Sequence, residues 1–209
     1  MRLLLSSLAA LCGAVLLLAA SGAPDQDDVY ARMQKLNPTL KSYQANVRVA
    51  VVTHSFPFLS PTLAGTVYFK SPDRSAIEFK TIPAIANQVK KIVASLEPAS
   101  EWPRIYDVTP VSDDGTTSAF RLVRKKHGRI DHVDVTVDDK TATVTGMTYT
   151  YNDNGGSISF KQTWDEIDGN FVLQSQTGKV DIPHYNADVT STFSDYQLNV
   201  PVSDTVFDA

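Results

Sequence analysis

The sequence predicts an α+β protein that is mainly antiparallel β, built as a curved, incomplete β-barrel covered by short α-helices. Apolar and polar residues alternate over many short segments, which is typical of strands with one buried face. Turn-forming residue pairs separate these segments at intervals of about 10 to 15 residues. Only two segments of the exported part show helical spacing. A meander of antiparallel strands accounts for these observations, and a strongly curved sheet that does not close leaves an apolar concave face.

Composition limits the classes of protein that fit this chain. Its 209 residues are 43% hydrophobic and 20% charged, as in a globular protein of one domain. The net charge of −4 argues against a nucleic-acid binder driven by a basic surface. Cys12 is the only cysteine, so neither an intrachain disulfide nor a cysteine-based zinc site can form.

The N-terminal residues have the order of a secretory signal. Met1-Arg2 precedes an apolar run from Leu3 to Ala20, and the small residues Ala19 to Ala23 follow. We therefore predict a signal peptide over residues 1–22, cut after Ser21 or Gly22, and a single domain over residues 23–209. The protein is then periplasmic or secreted. The alternative is an uncleaved N-terminal membrane anchor, for which the apolar run is marginal in length.

Two segments have the spacing of amphipathic helices. Asp27-Asp28 precedes apolar residues at Val29, Tyr30, Met33 and Leu36, and Asn37-Pro38 ends this first helix. The second helix covers residues 84–96. Its apolar stripe consists of Ile85, Val89, Ile92, Val93 and Leu96. This second helix is either a lid over the concave face or an ordinary core helix that fills it. Pro98 and Pro103 then bracket a predicted loop that holds Trp102.

Strands occupy most of the remaining chain. Tyr43 to Val52 alternates, and Gly65 to Phe69 pairs with Ala76 to Phe79 around the turn Ser71 to Arg74. From Ser118 onward the alternation continues nearly to the end. The predicted hairpin turns are Asp114-Gly115, His127-Gly128, Asp138-Asp139, Asn154-Gly155 and Asp168-Gly169.

Catalytic motifs are missing from the sequence. It contains no HExxH, no GxSxG elbow and no glycine-rich phosphate loop. His127 and His132 lie five residues apart, and we interpret them as solvated turn and strand residues. We predict no catalytic residue, metal ligand or cofactor, and therefore no enzyme. An uncharacterised hydrolase remains a third hypothesis that lacks a nucleophile–base pair.

One loop carries an unusual amount of apolar surface. The segment from Phe56 to Pro61, which joins two predicted strands, contains Phe56, Phe58 and Leu59 together with two prolines. Loops rarely carry such surface unless it docks or binds. The segment is either a staple that packs under the helix or a mobile gate beside an apolar cavity.

Several of these segments together resemble the periplasmic lipoprotein-carrier superfamily, which includes LolA, LolB and RseB-type domains. The shared order is an export signal, a short helix, the strand from Ser42 to Val47, the Gly65 to Arg74 segment and the strand Ala76 to Phe79. The C-terminal stretch from Phe193 to Phe207 also looks like the ending of that family.

The resemblance implies an apolar cavity for the acyl chains of lipids or lipoproteins, and transport between a donor inner-membrane complex and an outer-membrane acceptor. The candidate cavity and gate residues are Phe56, Phe58, Leu59, Tyr68, Ile77, Phe79, Ile85, Val89, Ile92 and Val93. Ser71 stands where lipoprotein carriers often have an arginine that helps to hold and release the cargo. This difference argues against a lipoprotein as the specific cargo. Arg74 is the candidate substitute for contact with cargo or partner. The alternative function is a non-enzymatic sensor or interaction domain of the RseB type.

Overall fold

The computed structural model describes residues 25–56, 58, 60–80 and 97–208. Ten antiparallel strands form one sheet. The strands are β1 (Ser42–Thr53), β2 (Thr62–Lys70), β3 (Arg74–Phe79), β4 (Tyr106–Asp113), β5 (Thr117–Arg124), β6 (Ile130–Asp138), β7 (Thr143–Tyr151), β8 (Ser157–Ile167), β9 (Asn170–Ile182) and β10 (Tyr185–Leu198). The predicted α+β class, dominated by antiparallel strands, is confirmed.

The strand order explains how the two ends of the chain come together. It runs β3-β2-β1-β10-β9-β8-β7-β6-β5-β4, so the first strand lies beside the last. Strands β3 and β4 are the two edges, and the sheet therefore does not close into a barrel. A twisted sheet of about ten strands curls to bury its apolar face. The structure is thus the incomplete barrel that the sequence predicts.

Short turns fix the meander. Four of the five predicted turn pairs lie between two consecutive strands from β4 to β9, and the fifth, Asp138-Asp139, begins at the last residue of β6. In the turn between β8 and β9, Asp168 and Gly169 both have positive φ, at 50° and 72°. That geometry suits the right-handed twist of the flanking strands.

The first helix, α1 (Gln26–Gln34), lies across the apolar face of the sheet. Its Val29 and Met33 are buried in the same core as the strands. At one end, Gln26 Nε2 donates to the carbonyl of Ala119 in β5 over 2.7 Å. Beyond the other end, Asn37 Nδ2 donates to the Phe171 carbonyl of β9, and the Phe171 amide donates to Asn37 Oδ1, both over 2.7 Å. The helix therefore spans the sheet from β5 to β9.

A second short helix replaces a predicted loop. The chain forms a 3₁₀ turn at Ala99–Glu101 and then α2 (Trp102–Ile105). Pro103 lies in the first turn of α2, where its missing N–H costs nothing. Trp102 is 1% exposed, and its indole Nε1 donates to the Glu97 carbonyl. The loop prediction was therefore wrong, because a proline that usually ends a helix here begins one.

None of the helices among the described residues has the length and apolar content needed to cross a membrane. The predicted helix over residues 84–96 and the predicted signal over residues 1–22 lie outside the described residues.

Candidate functional site

The candidate site is the concave face of the sheet, which carries the core side chains. Strand register aligns these side chains into rows that run across the sheet. The central row consists of Val51, Val189, Gly178, Phe160, Met147, Val135 and Phe120, each the register partner of the next. The second row consists of Ala187, Val180, Ile158, Tyr149, Val133 and Leu122. Apart from the part-buried Gly178, every member of both rows is buried.

A glycine shapes the middle of the central row. A side-chain carbon on Gly178 would come within 2.5 Å of Cδ1 of Phe160. The Phe160 ring therefore lies directly over the Gly178 backbone. This packing places a wide aromatic surface at the centre of the sheet, between the β9 backbone and the interior.

The short helices cover the half of this face nearest β4. The Tyr30 ring of α1 packs against the rings of Trp102 and Phe120, with centroids 6.1 and 5.6 Å apart. Arg32 donates to the carbonyl oxygens of Asp139 and Lys140, which ties α1 to the turn after β6.

A polar cluster marks the edge of the face where α2 begins. Glu97 accepts a hydrogen bond from the Tyr106 hydroxyl at Oε2 over 2.6 Å and one from Arg124 at Oε1 over 2.7 Å. The Arg124 guanidinium also lies 5.4 Å from the Tyr106 ring centre. Burial, aided by the hydrogen bond to Glu97 and its charge, raises the pKa of Tyr106 to about 12. These contacts fix the side chain of Glu97, the first described residue after position 96.

Burial of tyrosines on the concave face raises their pKa values. Burial raises the pKa of Tyr43 to about 12 and also raises the pKa values of Tyr149 and Tyr196. Burial opposes ionisation because the charged form loses hydration. The concave face is therefore a water-poor environment suited to apolar groups.

The structure divides the predicted cavity and gate residues. Ile77 and Phe79 of β3 are partly buried against the core, as cavity-lining residues would be. Phe56 and Phe58 instead project into solvent, with 85% and 74% of their surfaces exposed. Tyr68 lies between Val67 and Phe69 and so points to the face opposite the core.

Tyr68 contacts Glu78 on that outer face, and burial followed by the Glu78 charge raises its pKa. The remaining candidates, Leu59, Ile85, Val89, Ile92 and Val93, lie outside the described residues.

Arg74 is engaged by the C-terminal segment of its own chain. Its guanidinium forms an ion pair with Asp204 and lies 4.9 Å from the Phe207 ring centre. Lys70 Nζ contacts the same Asp204 oxygen over 2.6 Å. These contacts fasten a short 3₁₀ helix, Asp204–Phe207, against β3. A cargo or partner would have to compete with Asp204 for Arg74.

Histidine contacts on the outer surface involve carboxylates. His54 Nε2 lies 2.9 Å from Asp188, and His132 lies 2.7 Å from Asp131 and 3.3 Å from Asp134. Neither contact couples a histidine to a hydroxyl nucleophile. Within the described ranges, no group of three histidine, cysteine or acidic residues is placed to hold a metal ion.

An open cleft of about 340 Å³ lies beside the end of α1, away from the centre of the concave face. Its lining residues are Arg32, Lys35, Leu36, Asn37, Pro38, Thr141, Ala142, Gly169 and Phe171.

Sequence reasoning missed one feature of the concave face. Ser191, Gln176 and Gln162 lie side by side on β10, β9 and β8, on the same face as the two apolar rows. We call these three residues the polar row. Its only signal in the sequence is Ser191, which interrupts the apolar alternation of Ala187, Val189 and Phe193.

Comparison with known proteins finds similarity in structure but not in sequence. No family model and no curated protein matches the chain. A DUF1329 family protein from Desulfovibrio piger matches with a TM-score of 0.63 and 14% identity, over 87% of this chain and 95% of that one. A LolA superfamily protein from Nitrosomonas europaea matches with a TM-score of 0.59 and 12% identity, over 90% and 98%.

A domain from Vibrio parahaemolyticus, described as an outer membrane lipoprotein-sorting protein domain, matches with a TM-score of 0.64 and 8% identity. That match covers 86% of this chain and 94% of the other. At these identities the likeness concerns the fold. The LolA-like fold implied by the sequence resemblance is confirmed.

Proposed function

We propose that this protein is an exported, non-enzymatic carrier that shelters acyl chains of lipids or lipoproteins and moves them between membranes. The observation that carries the proposal is the pair of uninterrupted apolar rows across the concave face. The side chains of both rows are already buried, so a long, flexible, apolar guest that lies along the rows replaces the protein groups that now cover them. One of its structural neighbours is described as an outer membrane lipoprotein-sorting protein domain, which supports the proposal.

The hydrophobic effect explains why transport needs a container. An acyl chain exposes apolar surface to water at a cost of about 0.8 kcal/mol per methylene, or on the order of 12 kcal/mol for about 16 carbons. Burial against the two apolar rows offsets most of that cost without any chemical step. Release then requires an acceptor that binds the chain at least as well.

The parts of the chain have distinct roles in this proposal. The signal predicted over residues 1–22 directs export to the periplasm, and the helix predicted over residues 84–96 is the lid of the concave face. Ile77 and Phe79 line the β3 side of that face. Phe56 and Phe58, which are exposed, form the gate that meets the acceptor membrane. The donor is an inner-membrane complex.

A transfer assay tests the proposal. The purified protein is titrated with pyrene-labelled hexadecanoic acid and then mixed with donor and acceptor vesicles. We expect saturable binding close to one probe per protein, and transfer faster than the spontaneous rate. Absence of saturable binding, together with transfer at the spontaneous rate, would contradict the proposal. Recovery of one membrane protein by a chain that binds no probe would favour the sensor alternative.

A further inference from the structure

The polar row interrupts an otherwise apolar surface at the centre of the sheet. Ser191 is the register partner of Gln176, and Gln176 is the register partner of Gln162. Ser191 is 1% exposed and Gln176 is 6% exposed. Buried polar side chains of this kind destabilise a core unless they are hydrogen-bonded.

Only part of the row is satisfied within the protein. Gln162 Nε2 donates to Gln176 Oε1 over 3.1 Å. The Ser191 hydroxyl has no hydrogen-bond partner among the described residues. A buried hydroxyl without a partner costs about 1–3 kcal/mol of desolvation. An unpartnered group at this depth is a site where a ligand can supply the missing bond.

A second buried serine shows the contrast. Ser118 is fully buried, and its hydroxyl donates to Asp139 Oδ1 over 2.7 Å. The chain therefore satisfies one buried serine on the concave face and leaves Ser191 without a partner. Ser118 serves as a matched control because both serines lie on the same sheet and the same face.

The neighbouring row gives the shape of the ligand. Val189, Gly178 and Phe160 of the central row lie two residues along the strands from the polar row, a distance of about 7 Å. A molecule that spans both rows has an apolar part on the Phe160 side and a hydrogen-bonding part about 7 Å away. That description fits an amphiphile and does not fit a plain hydrocarbon.

We infer that the polar row binds the carbonyl linkage of an acyl amphiphile, an ester or an amide, while the alkyl chain lies along the central row. The Ser191 hydroxyl donates to the carbonyl oxygen. Gln162 fixes the Gln176 amide through its Oε1, which leaves the Nε2 end of that amide as the donor group. This inference rests on the proposed carrier function and specifies the class of guest.

Three probes separate the chemistries. Diphenylhexatriene is apolar, 1-monopalmitoylglycerol carries an ester, and a palmitoylated peptide carries an amide. Binding of each probe is measured with the wild-type protein and with Ser191→Ala, Gln176→Leu and Ser118→Ala, together with the melting temperature of each variant without ligand. Comparison of the ester and amide probes identifies whether lipid or acylated protein is the better source of the carbonyl.

Ser191→Ala should weaken binding of a carbonyl probe by about 3- to 10-fold, the effect of one neutral hydrogen bond. Diphenylhexatriene binding should not change, and the melting temperature should stay constant or rise because an unpartnered hydroxyl is removed. Ser118→Ala should lower the melting temperature and leave all three affinities unchanged. Gln176→Leu should reproduce the selective loss of the carbonyl probes.

Two results would overturn the inference while the carrier proposal survives. One is that Ser191→Ala and Gln176→Leu bind all probes as tightly as the wild type. The other is that they lose diphenylhexatriene and the carbonyl probes to the same extent. If the wild type binds none of the probes, the carrier proposal itself fails, and the inference fails with it.

Discussion

The exposed aromatic gate provides a test in which function and stability separate. Phe56 and Phe58 lie between β1 and β2, and 85% and 74% of their surfaces face solvent. Side chains that already face water in the folded protein contribute little to folding. We therefore expect Phe58→Ser to change the free energy of unfolding by no more than about 0.5 kcal/mol, which is roughly 2 °C in melting temperature.

The same exposure sets the size of the functional effect. Full burial of a phenylalanine side chain yields about 1.5–3 kcal/mol. Since 74% of Phe58 is available for burial in an acceptor bilayer, its loss removes about 1–2 kcal/mol of membrane affinity. That corresponds to a fall of about 5- to 30-fold in vesicle binding and in the rate of delivery.

Flotation with vesicles and the pyrene transfer assay measure these two quantities. Val111→Ser is the matched control, because Val111 is 56% exposed on β4, the edge strand far from the gate in the strand order. The control should retain wild-type delivery. The gate would be refuted if Phe58→Ser lowered the melting temperature enough to account for its slower delivery. It would also be refuted if Val111→Ser slowed delivery as much as Phe58→Ser does.

Two further predictions concern stability. Asn37→Gly keeps the positive φ of 55° but removes both hydrogen bonds to Phe171, so its melting temperature should be lower by roughly 4–8 °C. The melting temperature of Asn37→Ala should be lower still, because alanine is strained at a positive φ. A wild-type melting temperature for Asn37→Gly would show that these hydrogen bonds do not stabilise α1. Tyr43 ionises at about pH 12 when folded and near pH 10 when unfolded, so its contribution to stability is complete below pH 10 and is lost as the pH rises towards 12. The free energy of unfolding falls as the pH rises to 11, and Tyr43→Phe should make that fall smaller by on the order of 1 kcal/mol. Urea titrations at several pH values measure this difference. Identical pH profiles for the two proteins would contradict the burial of this hydroxyl.

Local patterns were sufficient to predict most of the sheet. Strands with one buried face show period-two alternation, as in Val133, Val135 and Val137 of β6. Turn pairs such as Asp168-Gly169 carry their own backbone preference and so mark where strands end. Together these signals predict a meander, whereas the pairing of β1 with β10 joins distant parts of the chain and has no local signal.

Edge positions did not show such a pattern. Strand β4 has Tyr106 buried and most of its other residues exposed, so the alternation disappears. Pro110 lies within it, and proline is accepted there because an edge strand has one unpaired side. The sequence also did not predict the short helix α2. Pro103 lies in its first turn, and a proline seen without its tertiary context is taken to end a helix.

The candidate site depends on register, which local sequence does not specify. Ser191 and Gln176 meet because the two-residue turn at Pro183-His184 sets which residues of β9 and β10 face each other. A shift by one residue would move both to the outer face. Exposure of Phe58 depends likewise on tertiary packing, so the sequence could predict an apolar loop but not whether it docks.

A native mass spectrum of the protein isolated from its own cells, kept in mild detergent-free buffer, tests the central claim most directly. We expect a population heavier than the polypeptide by the mass of one acyl-containing molecule, which collisional activation releases. A spectrum with the bare polypeptide alone, from a protein that also takes up no labelled hexadecanoic acid, would contradict it.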